Sequence, residues 1–330
     1  MKSYNIAVVG ATGMVGRTMV KVLEERNFPV NNLCLFSSSK SAGTKMEFKG
    51  KTYIVEELAE SSFNRNIHIA LFAAGGSVSS KYVPIAVSKG IIVIDNSSTF
   101  RMNEDVPLVV PEVNEEEIFK HKGIIANPNC STIQAVVALK PLHDKYNIKR
   151  IVYSTYQAVS GSGVKGITDL QNGLEGKPNV FYPHPIVNNC LPHIDVFADN
   201  GYTKEEMKMI NETKKILNDY SIKITATTVR VPVLNCHSES VNVEFHKDFD
   251  LMELKDLLAK SPGVVLVDNP ANNEYPLASL ADGKDQVFVG RLRRDESVEY
   301  GINMWIVADN IRKGAATNAV QIAESLIKSL

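Results

Sequence analysis

Ile6-Ala7-Val8-Val9-Gly10-Ala11-Thr12-Gly13-Met14-Val15-Gly16 joins an apolar run to three glycines spaced three residues apart. A short run of this kind reads as a strand buried on both faces. Gly10, Gly13 and Gly16 read as the turn that carries it into a helix. Glycine there permits a tight turn, close approach of backbone to a pyrophosphate, and close helix–strand packing. The helix N-terminus behind it offers unpaired N–H groups and partial positive charge to phosphates. The spacing is GxxGxxG rather than GxGxxG, a variant common in NADP-binding proteins; with no ligand it would be only a tight strand–helix turn. Context favours the ligand. Apolar runs at Leu33–Phe36, Ile69–Ala73, Ile91–Asp95 and Ile124–Ala126 alternate with helical stretches such as Met14–Arg26 and Ser80–Ser88. That rhythm predicts an α/β fold with a Rossmann-type doubly wound parallel sheet.

The character changes near residue 149. Ile151–Ala158, Ile222–Val233, Ser240–Phe245, Val264–Val267, Gln286–Leu292 and Tyr300–Val307 read as longer alternating strands of a mostly antiparallel mixed sheet. A charged helix, Thr203–Asn218, interrupts them. Gly161–Pro185, rich in Gly, Asn and Pro, reads as the longest loop, and loops of that length are usually functional. The expected division is 1–128 and 129–310, with a C-terminal helix over 311–330 packing back on the first domain.

The 330 residues carry 36 Lys+Arg against 37 Asp+Glu, a net charge of −1. Such a balance gives no general basic field for nucleic acid or an anionic membrane, so neither partner is expected. No apolar run approaches the ~18 residues of a membrane span, and the N-terminal apolar stretch is too short for a signal peptide. Four scattered cysteines form no CxxC pair. The expectation is a cytoplasmic α/β protein of enzyme size.

The second strand runs into Ser37-Ser38-Ser39-Lys40-Ser41-Ala42-Gly43, with hydroxyls, a cation and no carboxylate. An acidic residue there would accept a ribose 2′-OH and repel a 2′-phosphate, so this composition points to NADP. Asn127-Pro128-Asn129-Cys130-Ser131-Thr132 lies between a short strand and a helix that reads as amphipathic through Ile133, Val136 and Val137. Pro128 discourages helix before it, which puts Cys130 at the helix N-terminus. There the helix dipole favours thiolate, the reactive form, and the N–H groups can stabilise an oxyanion. Cys34, Cys190 and Cys236 read as packing residues. The partner acid/base with the best context is His237, in Arg230-Val231-Pro232-Val233-Leu234-Asn235-Cys236-His237. Adjacent Cys236 and His237 would point to opposite faces of a strand, a poor chelate. No metal is expected.

Together these segments resemble the aspartate-semialdehyde dehydrogenase family. The likeness runs through the Gly10–Gly16 turn, Asp95–Arg101, Asn127–Gln134, Tyr156–Gly163, Glu205–Lys208, Arg230–His237, Gly290–Asp295 and Asp309–Ala316, and it is the number and order of motifs that make it specific. The resemblance implies a catalytic and dimerisation role for the second domain and a homodimer or homotetramer. It implies reversible reduction of L-aspartyl-4-phosphate by NADPH to L-aspartate-4-semialdehyde and phosphate, in the pathway to diaminopimelate, lysine, methionine and threonine. By the same resemblance Cys130 forms a thioester, His237 moves protons, and Gln157 orients the substrate. Arg101 and Lys208 meet phosphate, and Arg230 grips the α-carboxylate. Glu205 is the partner suggested for the substrate ammonium. Thr12, Gly13, Met14, Val15, Lys40, Ser41, Ser160, Gly161 and Asn310 correspond to NADP-contacting positions, with Asn310 near the nicotinamide. Taken alone, Glu205 and Lys208 would read as a solvated salt bridge and Arg101 as a surface loop residue. The chain departs from the family pattern at Asn188, usually aromatic, and Cys190, usually aliphatic.

Two other readings stay open on sequence. N-acetyl-glutamyl-phosphate reductase would use the same Cys, His and NADPH, but its substrate has no free ammonium for Glu205. A non-catalytic NADP-binding regulator could share the fold, yet would have no need of Cys130, Gln157, Arg230 and His237 together.

Overall fold

The computed structural model describes residues 2–328. The chain forms two compact units, one of residues up to Pro128 together with those from Ala315, the other Asn129–Gly314.

In the first unit, β1 (Tyr4–Val9) and α1 (Met14–Glu25) flank the glycine turn, followed by β2 (Val30–Ser37). A small hairpin, β3 (Lys45–Phe48) and β4 (Lys51–Ile54), and a two-residue β5 (Glu56–Glu57) come next. Then follow β6 (Ile69–Phe72), α2 (Gly76–Ser88), β7 (Ile92–Asp95), α3 (Pro111–Asn114) and β8 (Ile124–Ala126). The six-stranded sheet has the order β5-β2-β1-β6-β7-β8 and every pair is parallel. All six residues of β1 are buried, because its alternate side chains enter separate cores. Ile6 and Val8 pack with Met19, Leu23 and Leu35, whereas Ala7 and Val9 pack with Phe36, Phe72 and Val83. That two-sided burial is why these strands read as unbroken apolar runs. The hairpin was not foreseen; its first strand alternates Lys45 and Glu47, exposed, with Met46 and Phe48, buried.

The second unit contains α4 (Cys130–Tyr146), β9 (Ile148–Gln157), α5 (Val164–Leu174), α6 (Lys204–Leu217), β10 (Lys223–Arg230), β11 (His237–Phe245), α7 (Leu251–Ala259), β12 (Val264–Leu266), α8 (Ala278–Ala281), β13 (Val287–Asp295) and β14 (Gly301–Ala308). The sheet order is β10-β9-β11-β14-β13-β12; the three inner pairs are antiparallel and the two outer pairs parallel. This is the mixed sheet expected. One face is covered by α4 and α6 and buries Thr155 and Gln157 of β9 with His237 and Glu239 of β11. The other carries Ser154, Tyr156, Ser240, Asn242 and Trp305, none of them buried, with Tyr156 and Trp305 in ring contact at 5.4 Å.

Two local expectations are corrected here. Gly161–Pro185 is not one long loop, because α5 occupies 164–174. Its Gly166 lies where a Cβ would approach Tyr182 Oη and Val159 O to 2.5 Å, so the glycine marks close packing rather than a turn. Nor is α4 amphipathic over its first half. Ser131–Leu139 are all buried, because β9, β11, β13, β14, α6 and α7 all pack against it.

A π-type turn, Arg312–Ala316, leads into α9 (Thr317–Ile327). Ala319, Val320, Ile322 and Ala323 of α9 join the α1 side of the first unit's core. The last two positions of the helix expected over 311–330 lie outside the described residues.

Candidate active site

Asn129 starts the site. Extended at φ −61°, ψ 145°, it caps α4, its Oδ1 accepting from Ser131 N and Thr132 N at 3.0 and 3.3 Å. Its own N–H donates to Glu212 Oε2 at 2.7 Å, and its Nδ2 donates to Glu205 Oε1 at 2.8 Å. Cys130 follows as the first residue of α4, half-buried, where the helix N-terminus contributes positive potential. Gly314 lies against it; a Cβ there would come within 2.8 Å of Cys130 Cβ.

Gln157, Arg230 and His237 lie at the ends of three adjacent strands. Arg230 pairs in register with Gln157, and Ser238 pairs with Tyr156, so His237 falls beside Gln157. Gln157 Nε2 donates to Ser131 Oγ at 2.8 Å and Glu205 Oε1 at 3.1 Å. Arg230 Nη1 donates to Ala158 O at 2.6 Å. His237 Nδ1 accepts from Ala158 N at 3.0 Å. A neutral ring that accepts at Nδ1 carries its proton on Nε2, and this buried Nε2 has no partner among the described residues. Burial, then the Arg230 charge, push His237 down to about 3, with Glu205 opposing weakly. Gly161 packs close against this edge of the ring: a Cβ there would meet Arg230 Nη1 at 2.9 Å and His237 Nε2 at 3.2 Å.

Glu205 and Lys208 depart from the solvated pair their charged run suggests. Glu205 is 6% exposed and accepts from Asn129, Gln157 and, at 3.0 Å, Lys208 Nζ. Burial opposes its charge, but Lys208 and these hydrogen bonds outweigh burial and bring its carboxyl down to about 2. Burial also opposes the charge on Lys208; the carboxylates of Glu205 and of Asp195, at 2.8 Å, overcome it and raise the ammonium. Asn310 bridges Ser160 Oγ, at 3.1 Å, and the Cys236 N–H, at 2.9 Å.

Two readings of cysteines change. Cys236 is left-handed at φ +72° and precedes β11, so the two-faced strand argument for Cys236 and His237 does not hold. Cys190 is exposed, not a packing residue, and its neighbour Asn188 takes φ +62°, a conformation asparagine tolerates. Among the described residues one trio, Cys236, Asp282 and Asp309, brings possible ligand atoms within 4.8 Å. Burial, with both carboxylates adding, raises the Cys236 thiol, and Asp309 already accepts three backbone N–H bonds from Gly283, Ile311 and Arg312. That donor set is poorly suited to a cation.

In the first unit, Gly10 has φ +83°, and a Cβ on it would come within 2.7 Å of Ala73 O; one on Gly16 would collide with Gly10 O. Thr12 Oγ1 and Ser37 Oγ share a hydrogen bond of 2.7 Å. Gly10, Thr12 and Ser37 line a cleft of about 460 Å³ with Gly13, Ser41 and Glu57. Glu57 corrects the reading of the second strand. The local sequence holds no carboxylate, yet β5 pairs Glu57 with Ser37 and brings one to the cleft. Lys40, in the turn Ser39–Ser41, is exposed and not part of that lining. Arg101 is buried rather than a surface residue. It ties two loops through Asn127 O and Asn96 O, both at 2.9 Å.

Residues 5–121 match the family model of the semialdehyde dehydrogenase NAD binding domain, and residues 139–313 that of the semialdehyde dehydrogenase dimerisation domain. The aspartate-semialdehyde dehydrogenase of Aquifex aeolicus is 58% identical over 98% of both chains. The chain belongs to the aspartate-semialdehyde dehydrogenase family. As a member it is an oxidoreductase with an NAD(P)-binding domain. The crystal structure of aspartate semialdehyde dehydrogenase II from Vibrio cholerae, complexed with ASA, superposes with a TM-score of 0.94 at 49% identity over 99% of each chain. The enzyme of Candida albicans, solved with NADP, superposes at 0.77 with 26% identity over 98% of each.

Glu239, two residues along β11 from His237, was not singled out by sequence. It is fully buried, neither carboxyl oxygen has a hydrogen-bond partner among the described residues, and burial alone raises it well above the ordinary carboxyl value. For a carboxyl raised in the folded state, the stability contributed is complete below the unfolded value near 4.5 and is lost as pH rises. Glu239→Gln should therefore raise the melting temperature at about pH 8 and leave it nearly unchanged at about pH 4; equal shifts at both, in paired melting curves, would contradict this. Gly314→Ala tests the backing of Cys130. The added methyl must displace the cysteine, and about 10²-fold loss of kcat is expected with KM little altered.

Proposed function

We propose that the chain is an NADP-dependent aspartate-semialdehyde dehydrogenase, catalysing reversible reductive dephosphorylation of L-aspartyl-4-phosphate in the cytoplasmic pathway to diaminopimelate, lysine, methionine and threonine. The observation that carries this reading is the bonded set Asn129–Glu205–Gln157–Ser131, with Arg230 and His237 at neighbouring strand ends. It joins the helix start bearing a thiol to an anion reader and an imidazole within one unit.

In this reading Cys130 attacks the acyl-phosphate carbonyl and phosphate leaves, giving a thioester on sulfur. NADPH, when bound, supplies the hydride. The resulting thiohemiacetal on Cys130 collapses and releases the aldehyde and the thiol. The neutral His237 offers its Nε2–H as a hydrogen-bond donor to the oxygen that gains charge. Acting as a full acid requires the imidazolium, and the negative charge of a bound acyl phosphate favours that state. Arg230 suits a carboxylate by its planar fork. Lys208 and Arg101 are the proposed phosphate contacts, Glu205 the ammonium contact, and Gln157 orients the reacting group.

The cofactor assignment rests on the glycine turn, whose close approaches leave no room for side chains, and on the hydroxyls of Ser37, Ser38, Ser39 and Ser41 along the cleft, with Glu57 the charge in the same lining that a 2′-phosphate would have to avoid. Thr12–Val15, Lys40, Ser41, Ser160, Gly161 and Asn310 are its proposed contacts. The division into an NADP-binding domain over 1–128, with the C-terminal helix, and a catalytic and dimerisation domain over 129–310 belongs to the same proposal.

Purified chain with L-aspartate-4-semialdehyde and NADP⁺ should form NADPH only when phosphate is present, and Cys130→Ser should lose nearly all of that turnover. Full turnover in the variant would overturn the covalent mechanism, and equal use of NAD⁺ the cofactor preference. The part of the sheet face around Tyr156 that is left exposed beside Trp305 is the proposed surface for a second copy. Sedimentation at micromolar concentration should give a dimer or tetramer; a monomeric mass would reject it.

A further inference from the structure

We propose that Glu212 is a positioning residue for the Cys130 thiol, acting through the backbone of Asn129. Within the charged run of α6 it looks like another solvated acid. The structure buries it to 1% exposure, seven residues and so about two turns beyond Glu205, on the same side of the helix. Its Oε2 takes the Asn129 N–H at 2.7 Å. That N–H belongs to the residue before the first turn of α4, which no helical carbonyl can satisfy.

The consequence is geometric. Asn129 is held at its amide N–H by Glu212, at Nδ2 by Glu205, and at Oδ1 by the first turn of α4. Its carbonyl accepts from Ile133 N at 2.9 Å. A residue engaged at each of these groups cannot rotate without breaking one, and Cys130 is the next residue. The opposite wall is also set, since Gly314 packs against Cys130 Cβ. Among the described residues, the tie to Glu212 is the one that fixes the peptide plane ahead of the helix. Without it, that peptide plane can tilt within the play left by the remaining bonds at Nδ2, Oδ1 and the carbonyl, and the thiol on the next residue shifts with it. Displacement of a reacting atom by about 1 Å costs about 10²-fold in rate.

This inference rests on Cys130 being the nucleophile, and the test separates the two. Two rates are measured on full-length protein: alkylation of the half-buried Cys130 by iodoacetamide, mapped by peptide mass because Cys190 is exposed, and turnover of aspartate semialdehyde. Glu212→Ala should lower kcat about 10²-fold with KM within about threefold, and slow alkylation in step. Glu212→Gln keeps an acceptor oxygen at the same reach and should stay within about threefold of the parent in both rates. A Glu212→Ala enzyme within about threefold of the parent overturns the proposal, and so does Glu212→Gln falling as far as Glu212→Ala. Should Glu212→Ala not fold, Glu212→Asp, which withdraws the acceptor by one methylene, takes its place. A loss of at least about tenfold in both rates then supports the proposal, and an unchanged rate overturns it. If the parent turns over no semialdehyde, the functional reading fails, while the alkylation comparison still decides the role of Glu212.

Discussion

Asn129 accepts and donates hydrogen bonds in four directions, and the second unit is organised around them. Its side-chain oxygen closes the first turn of α4, its amide nitrogens reach two acids of α6, and through Glu205 it is joined to Gln157 at the end of β9. Buried polar groups that lose a partner pay a desolvation penalty of about 1–3 kcal/mol each, so these bonds form together or leave several groups unsatisfied. The link between helix start, acidic helix and strand end is therefore stiff. Stiffness at that point is what a thiol poised for attack requires.

Around this hub, burial sorts the ionisable groups by whether a partner is present. Glu205 and Lys208 keep their charges because each faces the other and further polar groups. His237 has no anion strong enough to offset burial and the Arg230 charge, and stays neutral. Glu239 has no hydrogen-bond partner among the described residues, and burial favours its neutral acid form. Across the sheet Glu239 pairs with Thr155, and Thr155 with Thr228; the hydroxyls of both are buried without partners among the described residues. A sheet face that packing alone would fill with aliphatic side chains is polar for two rows behind Gln157 and His237. Departures from core rules of this kind collect where function makes demands that stability does not.

Where the pattern was local, it was legible. The parallel strands stood out because each is apolar on both faces, and Cys130 was expected at a helix start because Pro128 ends any helix before it. The misreadings share a cause. Gly166 inside α5 looked like loop composition but answers to Tyr182 and Val159, and the first half of α4 is buried all round because several elements close on it. The carboxylate at the cleft comes from Glu57, on a strand twenty residues from Ser37, so no reading of the second strand alone could supply it.

The sequence by itself determined the two sheets, the glycine turn and the order of motifs that places the chain in its family, because periodicity, proline, glycine and residue type act over a few neighbouring positions. Only the tertiary structure decided which acids are buried and paired, which nitrogen of His237 bears the proton, and which residue holds Asn129. Those properties depend on contacts between positions as far apart as Asn129 and Glu212 or Ala158 and His237, 83 and 79 residues away in the chain. Burial changes the energy of a charge or an unpaired donor far more than the identity of its sequence neighbours does. A charged run such as that of α6 therefore carries no mark, before folding, of which members will face water and which will face the thiol.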